Sequence, residues 1–463
     1  MKKLFYLPSL ALMVLIAVSC SDDNVLAFAP EVPEVSTESP EVSILNLTSE
    51  TAVAQEDTIY LKANVQSDSR SKFVWSVDGL KSKEASSVTD SVFKFVKTEV
   101  GNYKVTLTCI NANGETSTSV NLSVYGKFRD GVFVLNEGSV FQENSKLTFI
   151  NPKGVVTDSA YWKVNGFELG NASQDLFIGN GKIYFVAQNG KGDVGKYENE
   201  GYLTIANSET LKREATYTTK LSVLSWPTHV AALGVDDVFI RDNKGVYLFN
   251  PSNNQVKFIE GSAGAQKNRM AVVQNKVFVP ASKSVLVLEA GKTAISHKIE
   301  FEAAVSGVVK AGDGNIYVST TGTPNMIYKI NAKDYSIIKS NEVTEGKLSA
   351  GWSATPGISA KGDTIYYGNA STKIYRHIFS KATSEYLIDA KEYLEDTGMA
   401  YNNLGVHPVT GEVYQTTIKG YGTDFLKNNI SVFNFSQQEP KLSVNYKNYT
   451  HFPAGIFFTD DFR

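Results

Sequence analysis

The feature that most constrains this chain is a short unit that recurs. In residues 305–338, VSGVVKAGDGNIYVSTTGTPNMIYKINAKDYSII, a strand of small residues ends in the turn Ala311-Gly312-Asp313-Gly314. An alternating strand follows through Ile316 and Val318, and a third through Ile327, Tyr328 and Ile330 runs into Asn331-Ala332-Lys333-Asp334. Period-two alternation bounded by Gly, Asn and Asp turns predicts antiparallel hairpins. One such meander has an apolar face with nothing to bury it, so the fold depends on repetition. The turn and second strand return as GNGKIYFVAQ (179–188), GVDDVFIRDN (234–243), QNKVFVPAS (274–282), KGDTIYYGNA (361–370) and VTGEVYQTT (409–417). The third strand returns as LTFINPKG (147–154), YLFNPSNNQ (247–255) and SVFNFSQQE (431–439). Copies lie roughly 40–55 residues apart, the period of a four-stranded propeller blade.

Counting second strands near positions 132, 183, 237, 276, 316, 365 and 413 gives seven blades and an all-β fold. The first and last repeats are incomplete in complementary ways. Val132–Asn136 and residues 146–151 read as second and third strands with no first, whereas HFPAGIFFT (451–459) has the form of a first strand followed by nothing. The C-terminal segment is therefore expected to complete the N-terminal blade and close the ring.

Residues 42–125 follow a different grammar, with strands expected at 58–65, 72–77, 91–95, 101–110 and 116–124. Trp75, Asp78-Gly79 and GNYKVTL (101–107) resemble a PKD-type, immunoglobulin-like sandwich. The resemblance implies a core Trp between sheets and a Tyr that fastens the corner before the sixth strand. Val105 stands where antibody domains carry a cysteine. Cys109, beside Leu107 and Ile110, is expected to be a small packed or half-exposed residue rather than a nucleophile.

At 463 residues the chain exceeds one ordinary core. Its 45 basic and 48 acidic residues leave a net charge of −3, so nucleic acid is not an expected partner. Lys2-Lys3 precede an apolar run at 10–18, too short to span a bilayer, and LIAVSC (15–20) resembles a bacterial lipoprotein signal. That resemblance implies removal of residues 1–19 and lipidation of Cys20. SDDN (21–24) is similar to the acidic tag that sends some lipoproteins to the outer face of the outer membrane. With Cys20 lipidated, Cys109 has no disulfide partner. Residues 20–41, with Pro30, Pro33 and Pro40, read as an extended tether, followed by the sandwich at 42–125 and the propeller at 126–463.

In a propeller, the loops entering first strands and those joining second to third strands share one face. That face is expected to hold Trp226, His229, Asn268, Arg269, Trp352, Tyr401, Asn402, Tyr421 and Phe452. Aromatic rings with neutral hydrogen-bonding groups suit a large, flat, amide-bearing ligand or a sugar. The competing reading of Trp226 and Trp352 is as wedges between blades. No metal site is expected, because the five His residues lack ligand spacing. The first strands begin with Gln174, His229, Asn268, Ser306, Pro356, Asn403 and Phe452, with Asp175 the one acid nearby, so the carboxylate ring of propeller hydrolases is missing. An enzyme is the least expected class, and no cofactor is expected.

VFVLNEG (132–138), the blade grammar and HFPAG (451–455) together resemble YncE-like lipoprotein propellers over residues 131–463. Some members capture cobalamin at the cell surface for a TonB-dependent transporter. The resemblance thus implies a corrinoid as ligand and such a transporter as partner. A ferric siderophore, which would need a basic rim such as Lys267, Arg269, Arg241 and Lys419, is an alternative. So are a glycan and an adhesive, protein-binding surface.

Overall fold

A computed structural model describes residues 39–66, 71–78, 80–81, 91–140, 143–189, 201–349, 354–437 and 439–463. The expected signal peptide, Cys20, nearly all of the tether, and Trp352 lie outside these residues. The chain forms two compact units, the smaller built mainly from N-terminal strands and the larger containing all the repeats.

The N-terminal strands make two sheets. One orders Glu41–Asn46, Thr58–Gln66 and Val92–Val96; the other orders Ala52–Ala54, Gly114–Tyr125, Gly101–Asn111, Lys72–Val77 and Leu80–Lys81. Trp75 is fully buried and stacks on Phe93 of the other sheet at 5.2 Å between centroids. The Tyr103 hydroxyl donates to the Glu99 carbonyl at 2.8 Å and pins the corner before its strand. Cys109 is free and fully buried.

The repeats form seven antiparallel sheets, the blades of a β-propeller. Inner strands are Asn171–Gly179, His229–Ala232, Ala271–Val273, Ala304–Lys310 and Ser359–Lys361 in blades 2 to 6. In blade 7 the inner place is shared by Met399–Ala400 and Gly405–Val406, both paired with Val413–Ile418. Blade 1 takes its inner strand, Pro453–Phe458, from the C-terminus, paired with Val132–Asn136. Every residue of that closing strand is buried.

Closure is also a packing event. Ile456 and Phe458 share a core with Tyr414, Ile430 and Val432 of blade 7, while Phe133, Phe149 and Phe457 share one with Leu176 and Phe185 of blade 2. Burying each large apolar side chain contributes roughly 1.5–3 kcal/mol, so the C-terminal strand stabilises two inter-blade cores as well as its own sheet.

Candidate functional site

At the end of the channel where inner strands begin, the connection after Val413–Ile418 meets the turn into the closing strand. Phe452 stacks on Phe425 at 4.4 Å between centroids, with Tyr401 at 5.3 Å and Tyr421 at 6.3 Å. Tyr421 is 67% exposed, so the cluster presents a ring to solvent. Phe452 has φ 56° and Asn402 φ 67°. The left-handed region costs a bulky residue roughly 1–3 kcal/mol, and such strain persists where surrounding contacts over-determine it.

Beneath the rings the Tyr401 hydroxyl donates to Glu137 Oε2 at 3.4 Å. Burial pushes the Glu137 carboxyl up, against the pull of Lys267 and hydrogen bonds from Gln174 and Tyr401. Burial and the adjacent Glu137 push the Tyr401 hydroxyl up as well. Among the described residues Gln174 Oε1 is a buried acceptor with no hydrogen-bond partner. This end therefore combines a stacking surface with polar groups that retain capacity.

Below it, the segment following residue 353 lays a floor across the channel. His229 Nε2 contacts the Ala354 carbonyl at 2.7 Å, joining blade 3 to blade 6, as far apart as two blades of seven can be. Asn268 donates to the Ser306 and Thr355 carbonyls, Asn403 to Thr355, and Gly357 N–H to Ser306. The close approach needs Gly307: a Cβ there would sit 2.8 Å from Gly357 N. Burial holds His229 well below the usual imidazole range, so it serves as a neutral structural bridge.

On the other side of the floor lies a cavity of about 380 Å³, walled by inner strands. Arg269 crosses the channel here. Its Nε donates to Asp175 Oδ1 at 3.3 Å, its Nη1 to the Ile456 carbonyl at 3.4 Å, and its guanidinium carbon sits 3.9 Å from the Phe457 ring centroid. A Cβ on Gly455 would come within 2.5 Å of Nη2, so this residue must stay small for the guanidinium to lie flat. Burial raises the Asp175 carboxyl to about 7 despite Arg269. Asp461, in the C-terminal turn Thr459–Phe462, is accessible to water yet hemmed in by the mouth. Desolvation raises it to about 6 against Arg269 and Lys310.

The structure thus distributes the expected site residues over three levels. Tyr401, Tyr421 and Phe452 meet, with Asn402 beside them donating to the Pro453 carbonyl. Trp226 is 49% exposed, so it is no wedge between blades, and it makes no ring contact with that cluster among the described residues. His229 and Asn268 belong to the floor, and Arg269 to the cavity beyond it. Of the expected basic rim, Arg241, Lys267 and Arg269 lie near enough to His229 to help hold its pKa down, but Arg241 is buried against the Ala265 carbonyl, Arg269 pairs with Asp175, and Lys419 pairs with Asp424 at 3.4 Å. Missing from the expected set are Phe425, Glu137 and Gln174 above the floor and Lys310 and Asp461 below it. Alternation along the inner strands assigns residues to blade cores, and gives no sign of which carbonyls the 354–357 segment will cross.

Fold and site define a seven-bladed propeller whose channel is divided by a hydrogen-bonded floor. The chain belongs to the family described as a domain of unknown function, DUF5074, which matches residues 130–459. No curated protein matches the sequence. Among solved structures it is similar to a quinonprotein alcohol dehydrogenase-like protein from Bacteroides thetaiotaomicron. That match has 16% identity and a TM-score of 0.54, over 89% of this chain and 97% of the other. Dihydro-heme d1 dehydrogenase NirN is similar at 11% identity and a TM-score of 0.43, over 72% of this chain and 76% of the other. At 16% identity the first of these likenesses concerns the fold alone.

Proposed function

We propose that this protein is a non-catalytic binding propeller. On this reading it is anchored to the outer membrane through Cys20, with a PKD-type sandwich between tether and propeller, and belongs among YncE-like surface lipoproteins. It takes a flat, amide-bearing nutrient, a corrinoid first of all, at the aromatic end of the channel and passes it to a TonB-dependent transporter. The observation that carries the reading is the stacked cluster of Tyr401, Tyr421, Phe425 and Phe452, held at a strained turn with one ring open to solvent. Buried acceptors such as Gln174 Oε1 would receive the ligand's amide hydrogens. A ferric catecholate is less favoured, since Arg241 is buried against a backbone carbonyl and Lys419 pairs with Asp424. A glycan would use the same rings.

Calorimetric titration with cyanocobalamin, a ferric catecholate and a glycan panel tests this. A stacked ring is worth roughly 1–3 kcal/mol, so Tyr421→Ala should weaken the tightest ligand about tenfold or more while leaving the fold intact. Binding by none of them would favour an adhesive surface instead. For the location, Cys20→Ala should release the protein from membranes, and protease added to intact cells should degrade the wild type; protection until lysis would mean a periplasmic orientation.

A further inference from the structure

The cavity below the floor is independent of the aromatic end. It lies at the low end of the roughly 300–1,000 Å³ range of small-molecule sites. Leu176, Val230, Val308 and Phe457 of the inner strands back its wall, and polar groups including Arg269, Lys310 and Asp461 share its exposed surface with them. Thr355 and Pro356 of the floor line the cavity, and the C-terminal turn flanks its mouth, where Phe462 meets Phe177 edge-on at 5.3 Å.

Three cations line this chamber, Arg269 deep within it, Lys310 at the mouth, and Arg463, which pairs with Asp130 and Asp460. Arg269 donates through Nε and Nη1, and among the described residues Nη2 makes no hydrogen bond. A guanidinium desolvated against Phe457 with donor capacity left is the arrangement that recognises a carboxylate. Two acids oppose it, Asp175 and Asp461. Asp175 accepts the Nε hydrogen, and that pair does not involve Nη2.

We propose that this cavity is a second binding site, taking small molecules with an apolar body and a single carboxylate head. The tail lies along the inner strands and the head sits between Arg269 Nη2 and Lys310. Asp461 at the mouth repels a second negative charge, which selects monoanions over dianions.

The test is titration of the mature protein with octanoate, octanamide and octylamine. Octanoate should bind saturably, and both other compounds at least about tenfold more weakly, one decade being about 1.4 kcal/mol. Lys310→Glu, a change at an exposed side chain, should weaken octanoate by a similar factor. Asp461→Asn should tighten it and admit octanedioate. Tyr421→Ala should change nothing here, which separates this site from the aromatic one. The proposal is overturned if octanoate does not saturate, if octylamine binds more tightly than octanoate, or if Lys310→Glu and Asp461→Asn both leave octanoate binding unaltered.

Discussion

The two ends of the channel are built from different parts of the same blades. The aromatic end is made of loops: Tyr421 and Phe425 come from the turn Gly422–Leu426 and its cap, and Phe452 from the entry to the closing strand. The far end is made of strands, and its lining includes Val230, Met270, Val308 and Phe457, which also fill inter-blade cores. A loop-built site can change its side chains with little effect on the fold. A strand-built site cannot, because the atoms that would touch a ligand already hold two blades together. One segment serves both ends: the C-terminal strand brings Phe452 to one and Phe457 and Asp461 to the other.

Deleting residues 453–463 should therefore have the largest effect. It removes Ile456, Phe457 and Phe458, whose burial contributes roughly 1.5–3 kcal/mol each, and opens the ring at two interfaces. The melting transition should broaden and fall steeply. A truncated chain that melted like the full one would show that this strand does not close the ring. Next, Phe457→Ala should cost about 3–5 kcal/mol in denaturant unfolding, against a change within about 0.5 kcal/mol for Tyr421→Ala. Equal losses would erase the distinction between the ends.

A smaller effect is expected at Trp226, whose φ is 55°. Trp226→Gly should be more stable than Trp226→Ala by roughly 1–2 kcal/mol, because both lose the ring but only Gly adopts that backbone freely. An Ala variant as stable as the Gly one would mean that the entry turn relaxes. The smallest effect is one of pH. Asp461 titrates near 6 in the fold against an ordinary 3.8, so the native chain keeps its proton after the unfolded chain has lost it. Its contribution to stability is fully present below 3.8 and is lost as pH rises through about 6. Relative to wild type, Asp461→Asn should thus gain melting temperature between those pH values and hold the gain above them. No change in the difference across that window would place the carboxyl in ordinary solvent.

Much of the fold was legible in the sequence because strands with a buried face must alternate, and turns need particular residues. The seven second strands, the sandwich strand at Lys72–Val77 and the closing role of the C-terminus follow from that grammar. The strand Glu41–Asn46 was not, since its first residue falls where the prolines still suggest tether. The site was legible only where loops carry conspicuous rings, as at Tyr401, Tyr421 and Phe452. Asn268, His229 and Arg269 look alike in sequence, as polar groups entering inner strands. What separates them is depth along the channel, set by the 354–357 segment and by Gly307 and Gly455, which let backbone and guanidinium approach. Nothing local in the sequence encodes that depth.

The division of the channel into two separate sites is the central claim. It is tested most directly by titrating wild type, Tyr421→Ala and Lys310→Glu with both cyanocobalamin and octanoate. The floor predicts that Tyr421→Ala weakens cyanocobalamin and leaves octanoate unchanged, that Lys310→Glu does the reverse, and that either ligand binds with the same affinity when the other is saturating. Competition between the two ligands, or one variant weakening both by the same factor, would contradict it.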